Sequence, residues 1–344
     1  MSALCFRLDE YNALLERIKK VRLGVVGDLI LDEYVYGVPR RLSREAPVPI
    51  IEYEGSRYVP GGACNSASAA AAVAETVHLF GFVGNDQNAK RLLPLLQERG
   101  INTSGVIVVP DWQTVTKTRI MAGSIHTAKH QVVRIDKGTP LVGQKTLHER
   151  LAAAIHQAAP NIDAWLISDY GYMTVGKPVE EVLKDLSAEG AVVVADSRWR
   201  IHDFSRITAV TPNEEEALEF GRYMLNFEKD VRRIGESMLE ILQLRYVLLT
   251  RGNKGMILFS ADGKRKEIPV AGTTEIVDVS GAGDEVAALF TAGLGAGGDP
   301  LMAAELANAA AGVVVMKRGT AVASTDEIRA KLEEVSCRGA HPEP

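Results

Sequence analysis

Short apolar segments of strand type alternate with longer segments of helical periodicity along most of the chain. The predicted strands are apolar runs at residues 23–27, 77–83, 164–168, 191–196, 209–211, 246–250 and 256–259. The predicted amphipathic helices lie at residues 90–98, 147–157, 179–189, 213–220 and 230–242. This alternation is typical of parallel β-α-β units with right-handed crossovers. The sequence therefore predicts an α/β fold with a mostly parallel central sheet.

Two regions, residues 33–60 and 112–137, break this alternation. They contain stretches with a period of two, such as 48–53 and 115–120, and little helical pattern. Because each region leaves and re-enters the α/β body, the two together predict a small β-sheet that covers the mouth of the main sheet as a lid. A homodimer interface is an alternative purpose for the same strands. The α/β domain then comprises residues 1–32, 61–111 and 138–344.

Ligands of parallel α/β sheets bind beyond the carboxyl ends of the strands. Polar or glycine-rich groups follow several predicted strands, namely Gly27-Asp28, Gly84-Asn85-Asp86, Ser168-Asp169, Asp196-Ser197-Arg198, Thr211-Pro212-Asn213 and Thr250-Arg251-Gly252. Ordinary turns begin with the same residue types. The pattern thus indicates which edge of the sheet holds a site but does not specify the ligand.

The segment Asp278-Val279-Ser280-Gly281-Ala282-Gly283-Asp284-Glu285 precedes an apolar stretch. A loop of small residues that opens a helix leaves backbone N–H groups unpaired at the positive end of the helix dipole, and such groups bind an anion. A carboxylate at Asp284 would repel that anion, unless it takes a proton from a hydroxyl that attacks a phosphoryl group held by those amides. The alternative is that Gly281 and Gly283 only shape a turn and Asp284 only caps the helix.

Composition narrows the class of protein. The 344 residues include 39 basic and 44 acidic ones, a formal net charge of −5, which supports neither a nucleic-acid partner nor a membrane-surface role. A small-molecule partner is therefore expected. Cys5, Cys64 and Cys337 are too few and too scattered for a disulfide framework or a zinc site. The charged N-terminus lacks a signal-peptide core and no window reaches the ~18 apolar residues of a membrane span, so a cytoplasmic protein is expected.

Two motifs resemble the signature regions of the ribokinase-like (PfkB) sugar kinases. One is Gly61-Gly62-Ala63-Cys64-Asn65 before an alanine-rich segment, and the other is the loop from Gly281 to Asp284. The stretches that resemble the heptose 7-phosphate branch of that family are residues 26–32, 41–49, 168–170, 211–213 and 308–315. The resemblance runs from about Val21 to Thr325, and such long co-linear agreement is more specific than any one motif.

The resemblance implies a ribokinase-like three-layer α/β sandwich with a β-sheet lid. It also implies an ATP- and Mg²⁺-dependent kinase that phosphorylates the anomeric 1-hydroxyl of D-glycero-β-D-manno-heptose 7-phosphate to the 1,7-bisphosphate. Asp284 would be the base, and the amides of Gly281, Ala282 and Gly283 would hold the transferring phosphoryl group. The alternatives are a kinase of another sugar or sugar phosphate, such as a fructokinase-like enzyme, and a catalytically weak relative that binds sugar or nucleotide. Bifunctional heptose proteins carry a second, nucleotidyltransferase domain, so only the kinase step is expected of these residues.

The resemblance also assigns residues to the nucleotide. Asn213 and Glu216 match the family's Asn-x-x-Glu element, and Glu216 would organise Mg²⁺ through water. The same pair also fits a helix cap with its partner carboxylate. Asn308 and its small neighbours would leave room for the adenine. The residues expected along the nucleotide phosphates are Thr250, Arg251, Gly252 and Gly255.

The sugar side is expected to combine residues that bind sugar hydroxyl groups with cations that bind a phosphate. The residues expected to bind the sugar are Asp28, Asp32, Gly61, Gly62, Asn65 and Asp169. A substrate phosphate requires basic groups, and six candidates that lie in the proposed lid are Arg40, Arg41, Arg44, Lys117, Arg119 and Arg134. Charged residues on exposed strands are usually solvated. Lys117 and Arg119 share a face by strand alternation and are the favoured pair, with Arg134 as a further candidate.

Some positions depart from the family pattern, and others were considered as metal ligands or as a nucleophile. Glu285 stands where the family usually has Thr, and an inward-pointing charge there would weaken ATP binding. The heptose branch tends to have Lys at the position of Arg198 and an acidic residue at Gly138. The histidines His126 and His130 lie in a segment that predicts a hairpin connection, so no metal is expected there. Cys64, next to alanines, predicts a small buried side chain and not a nucleophile.

Overall fold

The computed structural model describes residues 3–123, 129–271, 277–317 and 319–338. Its helices are α1 (Ala3–Ile18), α2 (Ala63–Ala71), α3 (Gln87–Gln97), α4 (Lys145–Ala158), α5 (Lys177–Ala188), α6 (Glu214–Met224), α7 (Val231–Leu242), α8 (Ala282–Gly295), α9 (Pro300–Val314) and α10 (Thr325–Arg338). Its strands are β1 (Arg22–Gly27), β2 (Leu29–Leu42), β3 (Pro49–Gly62), β4 (Thr76–Gly84), β5 (Ile101–Val109), β6 (Val115–Ala122), β7 (His130–Lys137), β8 (Ala164–Asp169), β9 (Val192–Ser197), β10 (Ala209–Val210), β11 (Tyr246–Thr250), β12 (Met256–Ser260) and β13 (Arg265–Ile268).

Nine strands form the central sheet, in the order β13-β12-β11-β10-β9-β8-β1-β4-β5. The strands from β11 to β5 in this order run parallel, whereas β12 and β13 at one edge are antiparallel. All the strands predicted from the sequence lie in this sheet, so the prediction of a mostly parallel α/β fold is confirmed. Strand β5 was missed because the polar residues Asn102, Thr103 and Ser104 interrupt its apolar pattern.

Each face of the central sheet is covered by its own layer of helices. Successive strand residues point to opposite faces, so Leu248 packs into one hydrophobic cluster and Leu249 into the other. The first cluster includes residues of α1, α2, α3, α8, α9 and α10, and the second includes residues of α4, α5, α6 and α7. This is the expected three-layer arrangement. In the part of the chain described, no helix is both long enough and apolar enough to span a bilayer.

Four strands form a separate, smaller sheet in the order β3-β2-β6-β7. Strands β2 and β3 make a long antiparallel hairpin, β6 pairs parallel to β2, and β7 pairs antiparallel to β6. The sheet begins at Leu29 and ends its hairpin at Gly62, beyond the limits of 33 and 60 expected from the sequence. The reason is that the first residues of β2 form an apolar run, Leu29 to Leu31, that is buried in the core and hides the period of two.

The connections of the small sheet place it at one edge of the central sheet. Strand β1 passes into β2 through the single residue Asp28, and β3 passes directly into α2 at Ala63. The small sheet therefore continues directly from the carboxyl end of β1, which is the edge where ligands of parallel sheets bind.

Truncation of Trp165 tests this account of the core. Trp165 is fully buried in β8 and packs against Phe80, with ring centroids 5.3 Å apart. We expect Trp165→Ala to lower the free energy of unfolding by about 3–5 kcal/mol, because the cavity cannot close fully. Trp199→Ala is the matched control, since Trp199 is 58% exposed, and it should cost about 1 kcal/mol or less. Urea unfolding followed by circular dichroism measures both, and equal losses would contradict the account.

Candidate active site

The carboxylate of Asp284 lies in the first turn of α8 and is the centre of the site. Nδ2 of Asn65 donates to its Oδ2 at 2.8 Å. Oγ of Ser66 and the hydroxyl of Tyr170 both donate to its Oδ1, at 2.8 and 2.9 Å. Burial raises the pKa of Asp284, and the three donors act against that rise. The start of α2 and the start of α8, the two motifs singled out in the sequence, thus meet at one carboxylate.

The loop before Asp284 presents free backbone amides. Gly281 is the N-cap of α8 with φ of 83°, and a Cβ on it would lie 2.7 Å from Nδ2 of Asn65. Only glycine combines this left-handed backbone with so close a contact. Among the described residues, the amides of Gly281, Gly283 and Asp284 have no hydrogen-bond acceptor. Several free N–H groups at the start of a 14-residue helix are suited to an anion such as a phosphate.

A cleft opens beside this helix end, at the carboxyl ends of β8, β9, β10 and β11. The residues predicted from the sequence that line it are Asp169, Asn213, Glu216, Thr250, Gly281, Gly283 and Asp284. The lining residues that were not predicted as site residues are Tyr170, Asp196, Arg198, Trp199, Thr211, Glu215 and Glu219. For Asp196 and Arg198 the signal in the sequence was the polar strand end, which they share with many ordinary turns.

One wall of the cleft carries two carboxylates that fit a divalent cation. Asn213 caps α6 through a reciprocal pair of hydrogen bonds with Glu216, both 2.9 Å long, so the helix-cap interpretation holds. Burial raises the pKa of Glu216 to about 7, and burial together with Glu216 raises that of Asp196 well above its usual range. Mg²⁺ held directly or through water would offset this repulsion. The described residues contain no group of three or more acidic, histidine or cysteine side chains that would enclose a metal unaided.

The other residues expected at the nucleotide divide into two places. Thr250 lines the cleft, and the neighbouring Arg251 lies 3.5 Å (Nε to Oε1) from Glu214 at the start of α6. Gly252 and Gly255, with φ of 55° and 79°, shape the turn into β12. Asn308, in α9, does not line this cleft.

Asn308 instead holds the segment after β13. Its Nδ2 donates to the carbonyl of Pro269 at 2.7 Å, and its Oδ1 accepts from the amide of Ala271 at 3.5 Å. The next residues, 272–276, lie outside the described part of the chain.

Asp28 and Asp169 support the cleft from behind. The amides of Tyr170, Tyr172 and Thr174 donate to the carboxylate of Asp28 at 2.7, 3.0 and 3.1 Å, and Asp28 is 1% exposed. This geometry favours an anchor for the loop after β8 over the expected sugar ligand.

Asp169 is buried as well. Its carboxylate accepts from Oγ of Ser197 at 2.6 Å and lies 3.6 Å from Nη1 of Arg200. Burial and the nearby Asp28 raise its pKa to about 6. Asp169 therefore joins the ends of β8 and β9 and presents little of its carboxylate to a sugar.

The remaining sugar-side residues keep polar atoms available. Oδ1 of Asn65 is buried and has no hydrogen-bond partner among the described residues, so it can accept from a hydroxyl. Asp32 pairs with Nη1 of Arg119 at 2.7 Å. A Cβ on Gly61 would lie 2.7 Å from Cγ of Asp32, so this glycine makes room for the carboxylate. Gly62, with φ of 55°, turns the chain into α2.

Lys117 is a buried cation without an anionic partner. It is 8% exposed, and Nζ lies 4.9 Å from the centroid of the Tyr170 ring. In the part of the chain that the structure describes, its ammonium group makes no ion pair within 4.0 Å and no hydrogen bond to another side chain. Burial lowers its pKa, and Asp32 acts against that shift. A desolvated ammonium of this kind is suited to an anionic ligand.

Two further arginines lie on the same side. Arg134 is opposite Arg119 in the β6–β7 register and pairs with Asp136 at 2.8 Å. Arg198 lines the cleft and, with Arg134, is among the cations that act on Lys117. Three other candidate arginines of the lid are exposed at the distal end of the β2–β3 hairpin, and they are Arg40, Arg41 and Arg44.

Glu285 points into the protein interior and not into the cleft. It is 1% exposed, and its Oε1 accepts from the amide of Ala323 at 3.1 Å. Burial raises its pKa to about 8, so the neutral form predominates at pH 7. The neutral acid adds no second negative charge beside Asp284, contrary to the concern raised by the sequence.

Two minor expectations can also be placed. Cys64 is fully buried, as expected, and burial raises the pKa of its thiol. His130 begins β7 and is exposed, whereas His126 lies outside the described residues.

Comparison with known proteins gives both a family and relatives. A family model described as pfkB family carbohydrate kinase matches residues 23–327. Bifunctional protein HldE from Gluconobacter oxydans is 39% identical over 328 residues, which cover 93% of this chain and 66% of that protein. Bifunctional protein HldE from Azorhizobium caulinodans is 36% identical over 324 residues, again 93% and 66%. The chain thus spans 66% of the length of these relatives.

Solved structures share the fold at low sequence identity. Phosphofructokinase-2 from Escherichia coli, in complex with substrates and products, has a TM-score of 0.72 at 16% identity and covers 92% of this chain and 99% of its own. Ribokinase from Arabidopsis thaliana, complexed with ribose and ATP, has a TM-score of 0.69 at 18% identity, with coverage of 91% and 99%. The ribokinase-like architecture expected from the sequence is therefore confirmed.

Replacement of Glu285 by glutamine should stabilise the protein at neutral and alkaline pH. The folded-state pKa of about 8 lies above the ordinary 4.5, so the folded protein keeps a proton that the unfolded chain releases between these values. Glu285 therefore makes the free energy of unfolding fall as pH rises from about 4.5 to about 8, by at most about 1.4 kcal/mol per pH unit. Glu285→Gln removes this fall.

Chemical unfolding of both proteins at about pH 5 and about pH 8.5 measures the effect. The advantage of the variant should be larger at the higher pH. A difference between the two proteins that does not change with pH would refute the buried, neutral state of Glu285.

Proposed function

Since the chain belongs to the pfkB family of carbohydrate kinases, we propose that it transfers the γ-phosphoryl group of ATP to the anomeric hydroxyl of a heptose 7-phosphate. The sugar kinase class and the ribokinase-like fold are the premise. The heptose assignment is supported by residues 26–32 and 41–49, which resemble the heptose branch, and by 33–39% identity to proteins named HldE.

The observation that carries the proposal is the position of Asp284 between an anion site and a polyol site. Gly281 and Gly283, whose amides have no acceptor among the described residues, line the cleft with Asp284, and Nδ2 of Asn65 donates to the Asp284 carboxylate. A sugar hydroxyl that donates to Asp284 would lie next to a phosphoryl group held by the amides. Asp284 then takes the hydroxyl proton as the oxygen attacks phosphorus in line with the leaving group.

The nucleotide side supplies charge compensation. Glu216 and Asp196 would hold Mg²⁺, which neutralises charge on the triphosphate when bound. Thr250 lies on the same wall of the cleft. The chain's own contribution is therefore a set of fixed dipoles and carboxylates around the phosphates, which costs little reorganisation during transfer.

The sugar side contains the cations that a phosphorylated substrate requires. Lys117 is buried and has no anionic partner among the described residues, and Arg134 and Arg198 are close enough to act on it. Convergent ammonium and guanidinium groups bind phosphate strongly. This cluster supports a sugar phosphate over a free sugar as substrate, while a phosphorylated sugar other than heptose remains the second candidate.

A catalytically weak, purely binding role is less well supported. Asp284 keeps three hydrogen-bond donors, the loop amides are free of protein acceptors in the described residues, and Glu285 adds no charge. These features favour a working base over a purely binding role.

We also propose that the small sheet, residues 33–60 and 112–137 of the predicted lid, closes over the cleft and forms a homodimer through its outer face. Its inner face carries Lys117 and Arg119. By strand alternation the outer face carries Ile120, together with Val133 and Ile135, each of which is 48% exposed. A second copy would cover this apolar face. The cytoplasmic location expected from the sequence stays a prediction.

A substrate panel tests the function. ADP release is measured with ATP and Mg²⁺ on heptose 7-phosphate, unphosphorylated heptose, fructose and fructose 6-phosphate. We expect turnover to be confined to the phosphorylated heptose, because only its phosphate and its anomeric hydroxyl together reach Lys117 and Asp284. Turnover of fructose 6-phosphate alone would support the second candidate, and absence of turnover with every sugar would favour the binding role.

Asp284→Asn tests the proposed base. The amide keeps the shape of the side chain but cannot take a proton, so kcat should fall by about 10²–10⁴-fold. Binding of ATP and sugar, measured by calorimetry, should persist. Glu285→Gln is the matched control, since it converts the neighbouring acid to an amide outside the cleft and should retain most of the turnover. Comparable activity of Asp284→Asn and the native chain would rule out Asp284 as the base.

Ile135→Asp tests the dimer. A charge on the outer face of β7 should convert a dimer to a monomer in size-exclusion chromatography with light scattering, because the carboxylate would be desolvated in the interface. Lys145→Asp, at an exposed position at the start of α4 and outside the small sheet, controls for the added charge. A native chain that is monomeric at all concentrations would contradict the proposal.

A further inference from the structure

The hydroxyl of Tyr170 occupies the approach to the catalytic base. It donates to Oδ1 of Asp284 at 2.9 Å, and Oγ of Ser66 donates to the same oxygen at 2.8 Å. A carboxylate oxygen has two lone pairs in its plane, so Oδ1 is fully used. Ser66 is buried in α2, whereas Tyr170 lines the cleft. A sugar hydroxyl that enters from the cleft therefore meets the phenol before it meets Oδ1.

The ring of Tyr170 is in turn covered by a cation. Nζ of Lys117 lies 4.9 Å from the ring centroid, within the range of a cation–π contact. Lys117 is 8% exposed. Among the described residues, the Tyr170 ring is the one close contact of its ammonium group, and the charges that act on it are more distant. The ammonium group thus holds the ring in the position from which its hydroxyl reaches Asp284.

A phosphate group is a much stronger partner for this ammonium than an aromatic ring. Charge-assisted hydrogen bonds to phosphate are short and strong, and the charges of Arg134 and Arg198 also act at Lys117. Arg198 lines the cleft, as does Tyr170, whose ring Lys117 contacts. Capture of Lys117 by phosphate would remove the cation from the ring.

We propose that Tyr170 is a latch on Asp284 that the phosphate of the substrate releases. Binding of the phosphate to Lys117 frees the ring, the phenol leaves Oδ1 with its proton, and the sugar hydroxyl takes its place on the base. Tyr170 is a positioning residue and not a catalytic one, since it acts through Asp284. The inference rests on the proposed function in one respect, because it takes a phosphorylated sugar as the natural substrate.

The latch predicts an effect of the substrate phosphate on kcat as well as on KM. An ordinary phosphate subsite improves binding, whereas a latch also raises turnover once the sugar is bound. The kcat ratio of heptose 7-phosphate to unphosphorylated heptose should therefore be large for the native chain. Tyr170→Phe keeps the ring and removes the hydroxyl, so it should reduce that ratio about tenfold by raising kcat for the unphosphorylated sugar, as expected for one hydrogen bond to a charged group.

Ser66→Ala is the matched control. It removes the other donor to the same oxygen, but Ser66 has no contact with Lys117, so kcat should fall by a similar factor for both sugars with the ratio unchanged. Inorganic phosphate provides a second measurement. Added to the native chain with unphosphorylated heptose, it should raise kcat, and this activation should disappear in Tyr170→Phe and in Lys117→Met.

The outcomes that overturn the latch are distinct from those that overturn the function. If Tyr170→Phe lowers kcat equally for both sugars, as in Ser66→Ala, Tyr170 only orients the base and the latch is refuted. Absence of activation by inorganic phosphate in the native chain refutes it as well. If the native chain does not use heptose 7-phosphate, only the heptose assignment is refuted and the latch is still open to test. The kcat ratio is then measured with fructose 6-phosphate and fructose.

A binding measurement needs no turnover. Calorimetric titration with inorganic phosphate should show tighter binding to Tyr170→Leu, which removes the competing ring, than to the native chain, and no binding to Lys117→Met. Equal affinity of the native chain and Tyr170→Leu would refute the competition on which the latch depends.

Discussion

The burial of one carboxylate, Asp284, is the constraint on which the site depends. A buried charge is costly unless hydrogen bonds replace the lost water. Here the donors come from segments far away in the chain, since Asn65 is 219 positions and Tyr170 is 114 positions from Asp284. The contact requires α2 to lie against α8 and requires glycine at 281, where any Cβ would collide with Asn65. The glycine-rich sequences before α2 and α8 are therefore both needed for the same contact between Asn65 and Asp284.

The acidic residues around Asp284 share one chemical group but have different roles, because their environments differ. Asp28 receives three backbone amides and fixes a loop, whereas Glu285 receives one amide and is held neutral by burial. Asp196 and Glu216 both line the cleft, and the charge of Glu216 acts on Asp196, which favours a cation beside them. Asp284 combines burial, three side-chain donors and a place in the cleft beside the free amides at the start of α8. That combination, and not the presence of a carboxylate, identifies the candidate base.

The sequence is informative where a local pattern determines the structure. Alternating apolar and amphipathic segments predicted the central sheet, because strand and helix periods are properties of neighbouring residues. The same period of two placed Lys117 and Arg119 on one face. The loop from Gly281 to Asp284 was found because small residues followed by an acid are visible in a single stretch.

The features that were missed depend on contacts between distant segments. Asp28 could not be read as a loop anchor, since its partners lie 142 to 146 positions away. Tyr170 and Ser66 look like ordinary residues until the fold brings them to the same oxygen. The direction of Glu285 was open for the same reason, because the amide it binds belongs to Ala323, beyond the next helix.

In the proposed function and the proposed dimer, strand β6 would take part in both substrate recognition and assembly. Lys117 and Arg119 lie on one face of β6, and Thr118 and Ile120 lie on the opposite face. Because the side-chain period of a strand is two, a slip of one residue would exchange the cations with the apolar face. In the proposed dimer, burial of the outer face would therefore fix the register of β6. The 4.9 Å contact of Lys117 with Tyr170, and with it the state of the base, would then depend on packing against the second copy.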